Sequence, residues 1–333
     1  MSSNELSLQY VLNNQFVSTK DYFLGLNGAL NDLAPFLSLS ERKDLCFNKL
    51  GLKDNNVAEQ PFIQAAVELT VCAHFARFFP EGFVYEEKVN PPKDVDCSFR
   101  VGDYKFNVEV KCANFEKKHA VDDGEGFKIG AHGRLTDFKD LSGNLTEAFA
   151  SVGSLLSEQR HMDNNLKDFL LSADGKFAAV TPDKELNVLV VACDDAMDMQ
   201  KWYSYLYGSQ GLFTPESFVD SSGYNKVDMV LLTNLYHRHK DPALKDKLVG
   251  HWEFNQAFSI LCQNPKSLKP DETFNMFSGT AHHYNNELNS HVVEGDAPDF
   301  ILNGLAIPDY VGRKLHANGI NRFQPYQSEP DLD

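Results

Sequence analysis

The hydrophobic pattern changes period along the chain, and that change outlines the fold. In DYFLGLNGALNDLAPFLSL (residues 21–39) apolar positions recur at helical spacing up to Pro35, which predicts helices broken by polar turns over roughly the first 50 residues. Gly51-Leu-Lys-Asp-Asn-Asn56 interrupts the pattern. A second helix is predicted from Pro61 through FIQAAVELTVCAHFARFF, stopping at Pro80-Glu-Gly82. After that stop the period falls from about 3.6 to 2. Strands are predicted at Phe83–Val89, Asp94–Val101 and Tyr104–Lys111, the last two joined by the tight turn Gly102-Asp103. Helical segments follow around Leu145–Gln159 and Asn164–Leu171. Leu186–Cys193 and Val227–Thr233 are continuous apolar runs of strand length, the signature of strands covered on both faces, and Phe258–Cys262 reads as a further strand. The order is α-β-β-β-α-β within an α/β or α+β sheet. It predicts a helical N-terminal extension over 1–55, a core over 56–265 and an acidic C-terminal extension over 266–333 packed on the core.

Composition narrows the class. The chain has 333 residues, 42% apolar, with 25 Phe and 12 Tyr, so disorder of the whole chain is excluded. No stretch of about 18 apolar residues occurs, which argues against a spanning helix. MSSNELSLQYVLNN lacks a basic n-region and an apolar h-region, so a cytoplasmic protein is expected. The six cysteines form no CxxC and read as buried reduced thiols. The net charge is −16, carried mainly beyond residue 120. The stretch from Asp271 onward holds ten acidic and three basic residues. A surface for a phosphate backbone must therefore be a local groove.

The chemistry concentrates between Glu68 and Lys111. Glu109 and Lys111 share one face of the third predicted strand, because residues two apart point the same way. The Gly102-Asp103 turn folds Asp96 across from Glu109, close enough for both carboxylates to share one cation. Mg²⁺ suits such oxygen donors, and Mn²⁺ substitutes for it. Lys111 is placed to orient a water or to neutralise charge developing on phosphorus. On the preceding helix, Glu68 lies on a face with Ala65, Cys72, Phe75 and Phe79, where a carboxylate is costly unless paired. An ordinary cross-strand ion pair between Asp96 and Lys111 is the alternative reading.

A helix Glu, then Asp, then Glu-x-Lys on adjacent strands resembles the PD-(D/E)xK nuclease superfamily, over roughly residues 57–235. The matching text is Ala66-Val-Glu68, Pro92-Lys-Asp-Val-Asp96 and Val108-Glu-Val-Lys111. The resemblance implies a restriction-endonuclease-like core with a mixed central sheet. It implies that Asp96, Glu109 and the carbonyl of Val110 hold Mg²⁺, that Lys111 assists the attacking water and that Glu68 completes the site. Asp94, on the same face as Asp96, is an alternative for the family's Asp. The implied activity is a metal-dependent endonuclease on DNA, in restriction, phage defence or repair, with possible homodimerisation or activation by a partner protein. The alternatives are an RNase and a non-catalytic binding or assembly protein on the same scaffold. Lys117, Lys118, Lys128 and Arg134 are the candidate nucleic-acid contacts, Lys128 and Arg134 within the stretch DDGEGFKIGAHGRL. His237-Arg-His239 reads as a polar strand end, Asp194-Asp195 as a helix cap, and Gln159 and Arg160 as polar contacts near the site.

Overall fold

A computed structural model describes residues 20–52, 58–116, 118–119, 134, 137–151, 153, 162–179, 181–240 and 250–323. Helix α1 (Lys20–Leu33) and the short α2 (Leu39–Asp44), which runs on into a π-type turn at Leu45–Lys49, precede the long helix α3 (Glu59–Phe78). Ser38 caps α2 by accepting from the Glu41 amide, while the Glu41 carboxylate accepts from the Ser38 amide. Six strands follow: β1 (Val84–Tyr85), β2 (Cys97–Val101), β3 (Tyr104–Cys112), β4 (Glu185–Ala192), β5 (Met229–Thr233) and β6 (Ser259–Gln263). They form one mixed α/β sheet in sequential order β1-β2-β3-β4-β5-β6. β3, β4 and β5 run parallel, and the outer pairings are antiparallel. Helices α4 (Phe138–Ser151) and α5 (Asp163–Asp174) lie in the crossover to β4, and α6 (Ala196–Tyr207) lies in the crossover to β5.

The β2–β3 hairpin is built from strict alternation. Its turn residue Gly102 has φ +57°, a conformation glycine adopts without steric cost. The register pairs Cys97 with Val108, Phe99 with Phe106 and Val101 with Tyr104 on one face, and Ser98 with Asn107 and Arg100 with Lys105 on the other. The first face is apolar and meets α3, where Phe75 stacks on Phe99 at 4.1 Å between ring centres. The second is polar and continues along β3 through Lys105, Asn107, Glu109 and Lys111. Helix α3 is apolar nearly all round, as a helix enclosed on most sides must be. Gln60 at its start donates to the Ala113 carbonyl at 2.8 Å, which ties it to the end of β3.

Several segments depart from the expectation: the second strand begins at Cys97, not Asp94, so Asp96 precedes it, and the helix expected around Leu145–Gln159 is found at Phe138–Ser151. The first strand is only Val84–Tyr85, because the chain turns at Glu86, whose φ is +48°. His237-Arg-His239 lies in helix α7 (Leu235–His239) and is buried, not a strand end. Asn234 turns the chain there: its side-chain oxygen accepts the Phe258 amide at 2.8 Å. His239 is then satisfied inside by the Tyr22 hydroxyl at 2.8 Å and that of Thr70 at 2.9 Å.

The C-terminal stretch packs on the sheet. α8 (Asp271–Ser278) sets Phe277 against Phe106, with ring centres 5.4 Å apart. At the free edge of β6, the Asn285 side chain in α9 (Asn285–Asn289) accepts from the Leu261 amide and donates to its carbonyl, both at 2.8 Å. It thereby does what a neighbouring strand would do. α10 (Asp299–Tyr310) brings Gly304 against Gln200 and Ser204 of α6. One apolar core runs from Tyr22 to Phe323. Among the described residues no helix is long and apolar enough to cross a membrane.

Candidate active site

The polar face of β3 and the loop entering β2 converge on Asp96. Asp96 directly precedes β2, and its carboxylate accepts the Val110 amide at 2.6 Å. Two main-chain bonds fix that loop: Glu86 N–H donates to the Asp96 carbonyl and Val95 N–H to the Glu87 carbonyl, both at 3.0 Å. Burial, then the charges of Glu68 and Glu109, push the Asp96 carboxyl well above the usual carboxylate range, against the pull of Lys176 and the Val110 amide. The three predicted carboxylates therefore share one electrostatic neighbourhood.

Glu109 is fully buried and lies between two lysines. Lys111 Nζ approaches Oε1 at 2.6 Å. Lys176 Nζ approaches Oε1 at 2.7 Å and Oε2 at 2.9 Å. Burial disfavours the Lys176 ammonium, but Glu109, Asp96 and Asp94 outweigh it and raise its pKa. The sequence pattern contains no hint of Lys176. It stands 67 residues from Glu109, in the turn that closes α5, and Asn90 holds that turn by donating to the Gly175 carbonyl at 3.2 Å. Only the tertiary fold brings it to the site.

Glu68, from α3, has its own cation. Lys49, at the end of the π-type turn, contacts Glu68 at 2.7 Å, Glu86 at 2.8 Å and the Tyr85 hydroxyl at 3.0 Å. Tyr85 in turn donates to Glu68 at 3.1 Å. Burial opposes the Lys49 charge, yet Glu68 and Glu86 hold its pKa above the usual lysine range. The left-handed backbone at Glu86, unusual for a residue with a side chain, accompanies its use as one arm of this clamp. Glu68 and Glu109 thus have ammonium partners, whereas Asp96 has no ion-pair partner among the described residues.

The donor chemistry here fits a hard divalent cation. Asp96, Glu109 and the Val110 carbonyl are oxygen donors, and Mg²⁺ needs only one or two carboxylates because it keeps several waters. As arranged, lysines engage Glu109, and no group of three or more His, Cys, Asp or Glu side chains among the described residues closes around one point.

Of the four candidate nucleic-acid contacts, the structure describes Lys118 and Arg134. Lys117, Lys128, Gln159 and Arg160 lie outside the described residues. Arg134 pairs with Asp163 at 2.6 Å and lies over the Phe218 ring at 3.4 Å. Lys118 is buried and turned inward, 3.2 Å from Asp194 and 3.4 Å from Asp195.

Lys118 belongs to a second charged centre at the C-terminal end of β4. Asp195 caps α6 as expected, accepting the Asp198 amide at 2.7 Å. Asp194 instead gathers Lys240 at 2.5 Å, His119 at 2.7 Å, Lys118 at 3.2 Å and His237 at 3.5 Å. Burial alone would raise its pKa, but these partners hold it well below the carboxylate range. Asp198, buried beside it, is pushed up to about 6.

No family model, curated protein or solved structure matches the chain.

Proposed function

We propose that this chain is a divalent-metal-dependent phosphodiester hydrolase acting on DNA, with a restriction-endonuclease-like core. The observation that carries the reading is Asp96. It is a carboxylate without an ion-pair partner among the described residues, set against Glu68 and Glu109 at the mouth of a hairpin whose polar face also bears Lys111. A site with surplus negative charge and oxygen donors is one that a cation completes.

Asp96, Glu109 and the Val110 carbonyl would hold Mg²⁺ or Mn²⁺, and Glu68 would adjust the site's charge from the other side. The bound cation would supply charge neutralisation at phosphorus and a more acidic water. Lys111 orients the attacking water and offers its ammonium to the charge that develops on the phosphoryl oxygens. Tyr85 and Lys49 hold Glu68 in place. DNA processing in restriction, phage defence or repair suits such an activity.

The test is nicking of supercoiled plasmid by the purified chain with Mn²⁺ or Mg²⁺, alongside a labelled RNA. Wild type is expected to nick DNA. Lys111→Ala is expected to lose nicking while keeping Mn²⁺ affinity in calorimetry. The net charge of −16 and the inward Lys118 favour a second reading, a non-catalytic assembly protein on the same scaffold. Folded protein that cleaves neither DNA nor RNA at any metal concentration would establish that reading instead.

A further inference from the structure

We propose that Lys176 and a divalent cation compete for Glu109, so that Lys176 sets the metal affinity of the site. This rests on the metal-dependent reading above. A carboxylate can serve as a metal ligand only through an oxygen with a lone pair to give. Lys176 lies 2.7 Å from Oε1 of Glu109 and donates a hydrogen bond to Oε2 at 2.9 Å, whereas the nearest approach of Lys111 is to Oε1, at 2.6 Å. With Lys111 moved away, Lys176 still engages both oxygens. With Lys176 moved away, Oε2 is released while Lys111 keeps Oε1. The two lysines, alike in charge and proximity, therefore differ in what they withhold.

They also differ in how they are held. Lys111 projects from β3, where it is in register with Val191 of β4, so its backbone is held in the sheet. Lys176 stands in a turn after α5. Glu109 is fully covered, while the side chains of Lys111 and Lys176 are 25% and 23% exposed. Lys176 is thus a positioning residue: it keeps the buried carboxylate compensated and yields it to an ion of higher charge.

Calorimetric titration of the metal-free full-length chain with Mn²⁺ tests this. Lys176→Gln is expected to bind Mn²⁺ about tenfold more tightly, the order of effect of removing one unit charge from a partly buried site. Lys111→Gln removes a charge as close but frees no hydrogen-bonded oxygen, so it is expected to gain clearly less affinity than Lys176→Gln. Lys176→Arg keeps the charge and grips a carboxylate with a planar fork, so it is expected to bind Mn²⁺ more weakly than wild type. It also preserves the ion pair, which keeps the test available if Lys176→Gln does not fold. Equal affinity across these proteins, or weaker binding by Lys176→Gln, would overturn the competition and leave the metal site standing. Absence of Mn²⁺ binding in every one of them would overturn both.

Discussion

Replacing Asp96 by Asn is expected to stabilise the metal-free protein while removing its response to metal. Asp96 is a partly buried carboxylate facing Glu68 and Glu109, and it lacks the ammonium partners those residues have among the described residues. Its folded pKa is raised above the unfolded value of about 3.9. Stability linked to it is therefore fully present below that value and is lost as pH rises through the folded pKa. Asn keeps an oxygen for the Val110 amide, now at 2.6 Å from the carboxylate, and carries no charge. The relief at alkaline pH should be about 1–3 kcal/mol, the cost of a buried group left without compensation. With roughly 2.1 cal/mol/K of unfolding entropy per residue, 333 residues give about 0.7 kcal/mol/K, hence a rise in Tm of roughly 1.5–4 °C. Scanning fluorimetry in EDTA at pH 8 reads it, and the gain should vanish near pH 4, where Asp96 is protonated in the folded state and partly so in the unfolded one. Adding Mn²⁺ should reverse the order, because only wild type gains ligand-linked stability, about 2.7 kcal/mol at a hundredfold excess over Kd. A variant less stable than wild type at pH 8 in EDTA would refute the premise that Asp96 is uncompensated.

Other perturbations follow from the same charges. Glu109→Gln is the same chemical change with the opposite expected sign: it takes from Lys111 and Lys176 the negative charge they share and should cost about 1.5–3 kcal/mol, the worth of hydrogen bonds to a charged group, read as a lower urea midpoint in EDTA. Asp194→Asn removes the charge that buried Lys118 and neighbouring Lys240 pair with and should cost roughly 3–5 kcal/mol near neutral pH. Because the Asp194 pKa is depressed, that difference should be full above the unfolded carboxylate pKa and fade as pH falls through the folded value, and a penalty that persists unchanged in acid would count against it. If duplex DNA lies against the hairpin end of the molecule, charge reversal at exposed Lys88 and Lys93 should weaken binding and flatten the plot of log affinity against log salt by about 0.9 for each phosphate no longer neutralised. Reversal at Arg313 and Lys314, which lie on the far C-terminal stretch, should leave that slope unchanged in fluorescence anisotropy.

What is legible in the sequence is local. Alternation and the Gly102-Asp103 turn are enough to pair β2 with β3, and the register that sets Cys97 against Val108 carries Asp96 to Glu109. The apolar runs announce β4 and β5 because strands covered on both faces leave no polar periodicity. Legibility fails where side chains meet across the fold. Lys49, Lys176 and the partners of Asp194 come from turns and short segments whose composition resembles any solvated loop. His237-Arg-His239 reads as a polar strand end because three polar residues after an apolar run look exposed. In the folded chain they are interior, with His239 bonded to Tyr22 and Thr70, and Arg238 to the Gly250 carbonyl at 2.9 Å.

The hairpin explains why a folding element can also carry chemistry. Its apolar face gains stability by packing on α3 and α8, which leaves the opposite face free of that demand and open to charged residues. Charges on that face must then be compensated from elsewhere in the chain. Lys176 comes from the turn after α5 and Lys49 from the N-terminal helices, each reaching a carboxylate of the site. The N-terminal stretch is therefore coupled to the site through Lys49 and Glu68, not merely appended to the core. Of the three central carboxylates, only Asp96 has no ion-pair partner among the described residues, and closer compensation from outside the chain is what the proposed metal would provide.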